Sequence, residues 1–192
     1  MRKVFMAAMA AAFIGGAATA ASAGTFTPAP NGRQMFDLDT AAGAYSLWQK
    51  DDLAGLGAAR VSFAIRQVRP DPGWVANFQF ALTQGEDRVT VSGVYVKHQD
   101  AFVVALKRMK GLTVLSEQRF ETPLKIDEVA NLDLDWDSSG KVTAVLRPAA
   151  SADPAAGERL EAQLPTGVTG MQVSNSTGEL EVTALAFGVT AP

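Results

Sequence analysis

The feature that most restricts the fold is a period of two between apolar and polar residues, interrupted by turn-forming residues about every ten positions. Residues 61–66, 74–82 and 132–137 each place apolar side chains at alternate positions. Successive side chains of a β-strand point to opposite faces, so each segment suits a strand with one buried face. Turn-forming segments such as 69–73 (RPDPG) and 137–140 (DSSG) follow them. Many short strands at this spacing are typical of an all-β sandwich or barrel.

The chain has 192 residues, which is enough for one domain to bury a core without disulfides. We predict a single antiparallel two-sheet β-sandwich of jelly-roll type over residues 34–192, after an extended Pro- and Gly-rich lead-in over residues 24–33. Residues 40–56 are the best candidate for a helix, and residues 158–164 suit either a short helix or an edge strand. Residues 148–157 (PAASADPAAG) predict a flexible loop.

The N-terminal residues have the pattern of a secretory signal peptide. Residues 1–3 (MRK) are mostly basic, residues 4–14 are entirely apolar, and residues 21–23 (ASA) match an A-x-A cleavage site. We therefore predict a cleaved signal peptide over residues 1–23 and an exported protein, either periplasmic or secreted. An uncleaved anchor is the alternative, although the apolar stretch is short for a span of roughly 20 residues. No later segment is apolar enough for a spanning helix, so we expect no membrane span in the mature chain.

Residue types that carry much protein chemistry are absent or rare. The chain has no cysteine and one histidine, His98, which excludes disulfides, zinc fingers, thiol catalysis and multi-His metal sites. The formal net charge of −3 gives no reason to expect nucleic-acid binding. The P-loop, GxGxxG, HExxH and GxSxG motifs do not occur. We expect no cofactor, and any metal ion, with Ca²⁺ as the candidate, would need oxygen ligands.

Residues 132–146 (LDLDWDSSGKVTAVL) resemble a hairpin of the pattern x-L-x-W-x-x-x-G-x-V-x-V that is common in concanavalin A-like (laminin-G-like) jelly-roll domains. Residues 176–182 resemble the final strand of such a domain, with residues 171–173 as its neighbour and residues 36–38 as its sheet partner. The resemblance implies two stacked antiparallel sheets, one of them concave. It also implies glycan or protein binding, and in some members glycoside cleavage.

Asp133, Asp135 and Asp137 form a row of acids, because alternate residues of a strand share a face and lie about 6.5–7 Å apart. Such a row offers oxygen ligands for Ca²⁺ or another ligand, and an acid pair for glycoside hydrolysis. Glycosidases of the resembling fold that are similar to family 16 typically carry Glu-x-Asp-x-Glu or Glu-x-Asp-x-x-Glu, and Asp at all three positions of this chain departs from both patterns. A solvated strand face that ends in a turn is the structural alternative.

A second group of candidates comes from the polar positions that alternate with the apolar ones along the predicted strands. Amides, hydroxyls and carboxylates suit sugar hydroxyls, and we predict that they share one sheet face made of Ser62, Arg66, Asn77, Gln79, Thr90, Ser92, Asp133 and Asp135. A face that simply meets water is the alternative. Trp74 follows a Pro-Gly turn and is a candidate platform for a sugar ring, whereas Trp136 shares the parity of core leucines.

Three other features favour structural interpretations. The basic cluster Lys107, Arg108 and Lys110 predicts a charged hairpin tip, with anionic glycans or phosphates as the alternative ligands. His98 lies at a predicted strand end and reads as a loop or edge residue. Residues 175–177 (NST) match the N-glycosylation sequon.

From these observations we predict an exported, non-catalytic β-sandwich that binds carbohydrate or cell-envelope material. The predicted ligand-binding side chains are Trp74, Asn77, Gln79, Asp133, Asp135 and Asp137. A glycoside hydrolase or lyase that uses the Asp row is one alternative, and a structural or interaction protein of the envelope is the other. The partner is therefore expected to be a glycan or an envelope polymer.

Overall fold

The computed structural model describes residues 25–29, 33–148 and 157–191. The predicted signal peptide over residues 1–23 lies outside these residues, as do parts of the predicted lead-in and most of the predicted loop at 148–157. Only strands, turns and irregular segments occur in the described part of the chain, so none of its elements is a helix that could cross a bilayer.

The described residues form twelve strands, which confirms the all-β antiparallel class. In chain order they are β1 (Thr25–Pro28), β2 (Gln34–Asp51), β3 (Ala58–Val68), β4 (Asn77–Gln84), β5 (Asp87–Val96), β6 (Ala101–Lys110), β7 (Thr113–Arg119), β8 (Leu124–Lys125), β9 (Val129–Trp136), β10 (Lys141–Pro148), β11 (Glu158–Gln163) and β12 (Gly170–Ala191). Hydrogen bonds join them into one sheet of order β11-β10-β9-β3-β12-β4-β5-β6-β7, with β1 and β2 paired to β12 and β8 paired to β6.

The long strand β12 connects two branches of this sheet. Residues 170–176 of β12 pair with β4, and residues 178–188 pair with β3. On its other side β12 pairs with β2 along residues 170–185 and then with β1. We call strands β4 to β7 the β4 branch, and strands β3, β9, β10 and β11 the β3 branch.

The two branches turn their apolar side chains toward one core. The ring of Phe63 in β3 lies 4.8 Å from that of Phe80 and 5.4 Å from that of Phe78, both in β4. Leu132 and Leu134 of β9 are fully or almost fully buried in the same cluster. Each fully buried side chain of this size contributes about 1.5–3 kcal/mol. The polar side chains that alternate with them therefore point to opposite outer sides of the molecule in the two branches.

The free edges of the two branches approach each other on the far side of the core. The side-chain amide of Gln118 in β7 donates to the carbonyl oxygen of Glu161 in β11 at 2.8 Å. The carboxylate of Glu158 accepts the backbone N–H of Thr122 at 2.7 Å. These contacts bring the sheet close to closure.

β12 changes neighbours at a buried irregularity around Thr177, which has a φ of 59°. The Asn175 amide, which is 3% exposed, donates to the carbonyl oxygens of Gly178 at 2.8 Å and Leu38 at 3.0 Å. A Cβ at Gly178 would overlap the carbonyl oxygen of Gln67, so this close approach requires glycine. Asn175 is therefore a structural residue here, and its amide is not exposed for glycosylation.

Two predictions for secondary structure have a clear outcome. The predicted helix over residues 40–56 is wrong, because β2 continues to Asp51 and pairs with β12 along most of its length. Pairing with a long neighbouring strand outweighs a weak local preference. Residues 158–164 form the edge strand β11, one of the two alternatives for that segment.

Candidate functional site

The outer side of the β4 branch carries a row of uncharged polar side chains. In β4, Asn77 and Gln79 alternate with the buried Phe78 and Phe80. The side-chain amides of Asn77 and Gln79 therefore point away from the core. In the register with β5, Gln79 lies opposite Ser92. Two of the predicted ligand-binding residues, Asn77 and Gln79, therefore lie together on one outer face.

Thr90 and Ser92 of β5 contribute two hydroxyls that the protein leaves without a partner. The residues are 1% and 5% exposed, and neither Thr90 Oγ1 nor Ser92 Oγ makes a hydrogen bond. An unpaired buried hydroxyl costs about 1–3 kcal/mol. Two unsatisfied hydroxyls at successive outward positions of one strand can gain hydrogen bonds from a polar ligand.

These side chains line a pocket of about 250 Å³. Apolar side chains complete its wall, and the lining residues are Val75, Asn77, Gln79, Thr90, Ser92, Val94, Lys107, Met109 and Val114. Amides and hydroxyls that converge within an apolar rim suit a ligand with alternating hydroxyl and C–H groups. We call this the central pocket.

An ion-pair network borders the central pocket on β6 and β7. The Lys107 ammonium lies 3.5 Å from the carboxylate of Glu117, which also accepts a hydrogen bond from Arg119 at 3.1 Å. The bond from Arg119 is the main cause that holds the pKa of Glu117 below its ordinary value, and the Lys107 charge adds to it. Two cations share one carboxylate here, so the border of the pocket is positive.

Lys107 is part of this site because β6 is longer than expected. The prediction of a charged hairpin tip at residues 107–110 is wrong in its position, since β6 continues to Lys110 and the turn is at Gly111. Lys107 and Met109 face the central pocket, whereas Arg108 turns to the other side and lies 3.7 Å from Asp87.

The acidic pair Asp133 and Asp135 lies on the β3 branch, on the opposite outer side. Arg60 of β3 lies between them, with 3.6 Å to Asp133 and 2.7 Å to Asp135. Asp133 is also paired with Arg147, and Asp135 accepts the hydroxyl of Thr190 at 2.8 Å. Both carboxylates are thus neutralised by arginines within the protein.

Asp137, the third member of the row, is a turn residue. Its carboxylate accepts the Ser139 hydroxyl at 2.6 Å and the backbone N–H groups of Ser139 and Lys141 at 2.9 and 3.1 Å. These bonds, with the Ser139 hydroxyl first, lower the pKa of Asp137 below its ordinary value. A general acid for glycoside cleavage needs a raised pKa so that it stays protonated. The surroundings of Asp137 favour the ionised carboxylate instead. No group of three acidic or histidine side chains converges on a metal position in the described ranges.

The polar face predicted from parity divides into two. Asn77, Gln79, Thr90 and Ser92 do lie together, but Ser62, Arg66, Asp133 and Asp135 belong to the β3 branch. The expectation of a single shared face is therefore wrong. The physical reason is that both branches bury their apolar parity in the same core, which sends their polar parities in opposite directions.

A cavity of about 760 Å³ lies beside Trp136 at the end of the β3 branch. Its charged side chains already have protein partners: Lys141 and Arg159 each lie 3.0 Å from Glu161, and Asp135 is bound by Arg60. Trp136 itself is 7% exposed and belongs to the core, as predicted. The central pocket is smaller, but it holds the hydroxyls that lack partners, and it is the better candidate for a ligand.

Trp74 lies in the segment between β3 and β4, at the end of the β4 branch. It is 50% exposed and lines a separate pocket of about 590 Å³ together with Tyr95, Lys97 and Ile126. His98, by contrast, lies exposed in the turn between β5 and β6, outside all of these pockets.

No protein-family model and no curated protein sequence matches the chain. Solved structures match it in fold at low sequence identity. The galectin LEC-6 of Caenorhabditis elegans matches with a TM-score of 0.50 and 12% identity over 79% of this chain and 95% of the galectin. The CBM2 module of the evolved Dit protein of Lactobacillus casei BL23 phage J-1 matches with a TM-score of 0.51 and 9% identity over 88% of this chain and 81% of the module.

An enzyme is also among the matching structures. Scytalido-glutamic peptidase matches with a TM-score of 0.50 and 6% identity over 88% of this chain and 85% of the peptidase. At these identities the likeness shows the fold alone. The galectin and the CBM2 module are all-β jelly-roll or sandwich proteins, which is consistent with the predicted concanavalin A-like class. The fold itself does not choose between binding and catalysis.

Proposed function

We propose that this protein is an exported, non-catalytic β-sandwich that binds carbohydrate, either free glycan or cell-envelope polymer, in the central pocket. The observation that carries the proposal is the pair of unpaired, buried hydroxyls of Thr90 and Ser92 beside the amide of Gln79. The N-terminal signal pattern supports export. The galectin and the CBM2 module, both named for carbohydrate binding, support a sugar ligand.

The chemistry of the pocket matches a sugar group by group. A sugar hydroxyl both donates and accepts, as do the amide of Gln79 and the hydroxyls of Thr90 and Ser92. The Lys107 ammonium adds a charge-assisted donor at the border. Val94 and other apolar side chains of the rim suit the C–H faces of a pyranose ring.

The hydrolase alternative finds no support in the arrangement of its carboxylates. Asp133 and Asp135 are paired with Arg60, and Asp137 is held in a turn. The proposal therefore assigns no catalytic role to the Asp row.

The test is binding of the full-length protein, expressed with its own N-terminus, to an oligosaccharide array and to insoluble cellulose, chitin and peptidoglycan. Gln79→Ala removes an amide that faces the ligand, and each lost hydrogen bond contributes about 0.5–1.5 kcal/mol. We expect a roughly 2- to 12-fold weaker affinity for this variant.

The matched control is Asp135→Asn, which changes a polar side chain on the opposite outer side and keeps an acceptor for Arg60. We expect its affinity to equal that of the wild type. Loss of binding in Asp135→Asn with no loss in Gln79→Ala would place the site on the β3 branch and contradict the proposal.

A further inference from the structure

Two pockets lie along the outer face of strands β4 and β5, and a third adjoins them around the end of these strands. The central pocket is flanked at the β4–β5 turn by one of about 480 Å³, which we call the turn-end pocket. At the other end it is flanked by the 590 Å³ pocket of Trp74, which we call the tryptophan pocket. Along β5 the successive outward residues are Arg88 in the turn-end pocket, Thr90 and Ser92 in the central pocket, and then Val94 near its end.

The three pockets adjoin one another. Val75 lines both the central pocket and the tryptophan pocket. Arg88 and Thr90, which line the turn-end and central pockets, are consecutive outward positions and lie about 6.5–7 Å apart. From Thr83 in the turn-end pocket to Asn77 in the central pocket the strand runs about 20 Å. The tryptophan pocket lies beyond this end, where Val68 and Ile126 join its wall.

The turn-end pocket has its own unsatisfied donor. The Nε of Arg88 is buried and has no hydrogen-bond partner, although one terminal nitrogen donates to the carbonyl oxygen of Gly111 at 2.8 Å. The amide of Gln172 and the hydroxyl of Thr83 line the same pocket. This pocket, like the central one, offers polar groups to a ligand.

The tryptophan pocket has a different character. Trp74 is half-exposed, and Val68, Tyr95 and Ile126 give the pocket a largely apolar wall. An exposed indole at the end of a polar groove suits stacking against the apolar face of a sugar ring.

We propose that the ligand is an extended polysaccharide chain that lies along β4 and β5 across all three pockets, rather than a single terminal sugar. This inference rests on the proposed carbohydrate function and specifies the form of its ligand. A short sugar fills the central pocket alone, whereas a chain reaches Arg88 and Gln172 at one end and Trp74 at the other.

The experiment measures the affinity of the full-length protein for β-1,4-linked oligomers of glucose, N-acetylglucosamine and galactose, from one to six units, by isothermal titration calorimetry. We expect the affinity for the oligomers that bind to rise by tenfold or more from the shortest to the longest. Trp74→Ala and Gln172→Ala should each weaken binding of the longest oligomer several-fold and leave that of the shortest unchanged. Gln79→Ala should weaken binding of every length by the same factor.

The outcomes separate this inference from the proposed function. If affinity does not depend on length while Gln79→Ala weakens it, the ligand is a short sugar; the extended-chain inference is then wrong and the proposed function stands. If no saccharide of any length or class binds, both are wrong. Thermal melting of Trp74→Ala and Gln172→Ala checks that each variant is folded, and the two variants test opposite ends independently.

Discussion

Replacement of Thr90 by valine should stabilise the free protein and weaken ligand binding at the same time. Thr90 is 1% exposed and its hydroxyl has no partner, so the folded state carries the cost of a desolvated polar group, about 1–3 kcal/mol. Valine keeps the β-branched shape and the strand preference of threonine and removes that hydroxyl. We expect the free energy of unfolding to rise by about 1 kcal/mol, which corresponds to an increase in Tm of about 2–4 °C for a domain of this size.

Thr40→Val is the matched control for this experiment. Thr40 is also 1% exposed, but its hydroxyl lies 3.3 Å from the donating amide of Asn175 and 3.4 Å from the carbonyl oxygen of Leu38. Its replacement removes both hydrogen bonds of this buried hydroxyl. We expect this variant to lose about 1–2 kcal/mol, the opposite sign to Thr90→Val.

Urea unfolding followed by tryptophan fluorescence measures both variants, and calorimetric titration with the saccharide identified on the array measures binding. Thr90→Val should bind about 2- to 12-fold more weakly than the wild type, whereas Thr40→Val should bind normally. If Thr90→Val is destabilised to the same degree as Thr40→Val, the Thr90 hydroxyl is satisfied in the free protein. The reasoning that assigns it to a ligand would then be refuted.

Three further predictions concern processing, pH and the backbone. Mass spectrometry of the exported protein should give an N-terminus at Gly24, and a mature chain that retains residues 1–23 would contradict the signal-peptide prediction. Asp137 has a lowered pKa, so its contribution to stability is complete above its ordinary value of 3.8 and is lost as the pH falls through the lower folded-state pKa. Asp137→Asn should therefore be less stable than the wild type at pH 7, and the difference should shrink as the pH falls below 3.8. A difference in stability that stays constant across pH titrations followed by circular dichroism would argue against this origin. Gly178→Ala should lower the free energy of unfolding in urea by about 1–3 kcal/mol, because the new Cβ overlaps the Gln67 carbonyl oxygen. Gly73→Ala has room for a Cβ and should leave the stability nearly unchanged. Equal losses in the two variants would contradict the argument from close approach.

The sequence predicts the parts of this fold that depend on local alternation. Leu132, Leu134 and Trp136 are buried as their parity indicates, and the turn at residues 137–140 joins β9 to β10. The segment 40–51 was not predictable in the same way, because the long-range partner β12 decides its conformation. Local preference is a weak guide where a segment gains all its hydrogen bonds from a distant strand.

The candidate site, like the fold, is predictable from the sequence only where it depends on local alternation. The parity of β4 correctly places Asn77 and Gln79 on an outer face, because Phe78 and Phe80 between them are buried. Alternation along a strand cannot show which of the two outer faces its polar side chains reach. The pattern therefore groups Asp133 with residues that lie on the far side of the core. The sequence pattern does not point to Glu117 and Arg119. Only the register of β7 against β6 places Glu117 opposite Lys107, and Arg119 reaches the network through its bond to Glu117.

The position of β12 along the chain has a consequence for how the protein folds. β12 is the last of the twelve strands, yet the strands that it joins, β2, β3 and β4, all belong to the first half of the sequence. Their mutual arrangement depends on contacts such as that between Asp51 and Gly170, which closes a loop of more than a hundred residues. Loops of this length make folding slow. A nascent chain therefore lacks the strand that joins β2, β3 and β4 until residues 170–188 have been synthesised, and we expect the first four strands to stay unassembled up to that point.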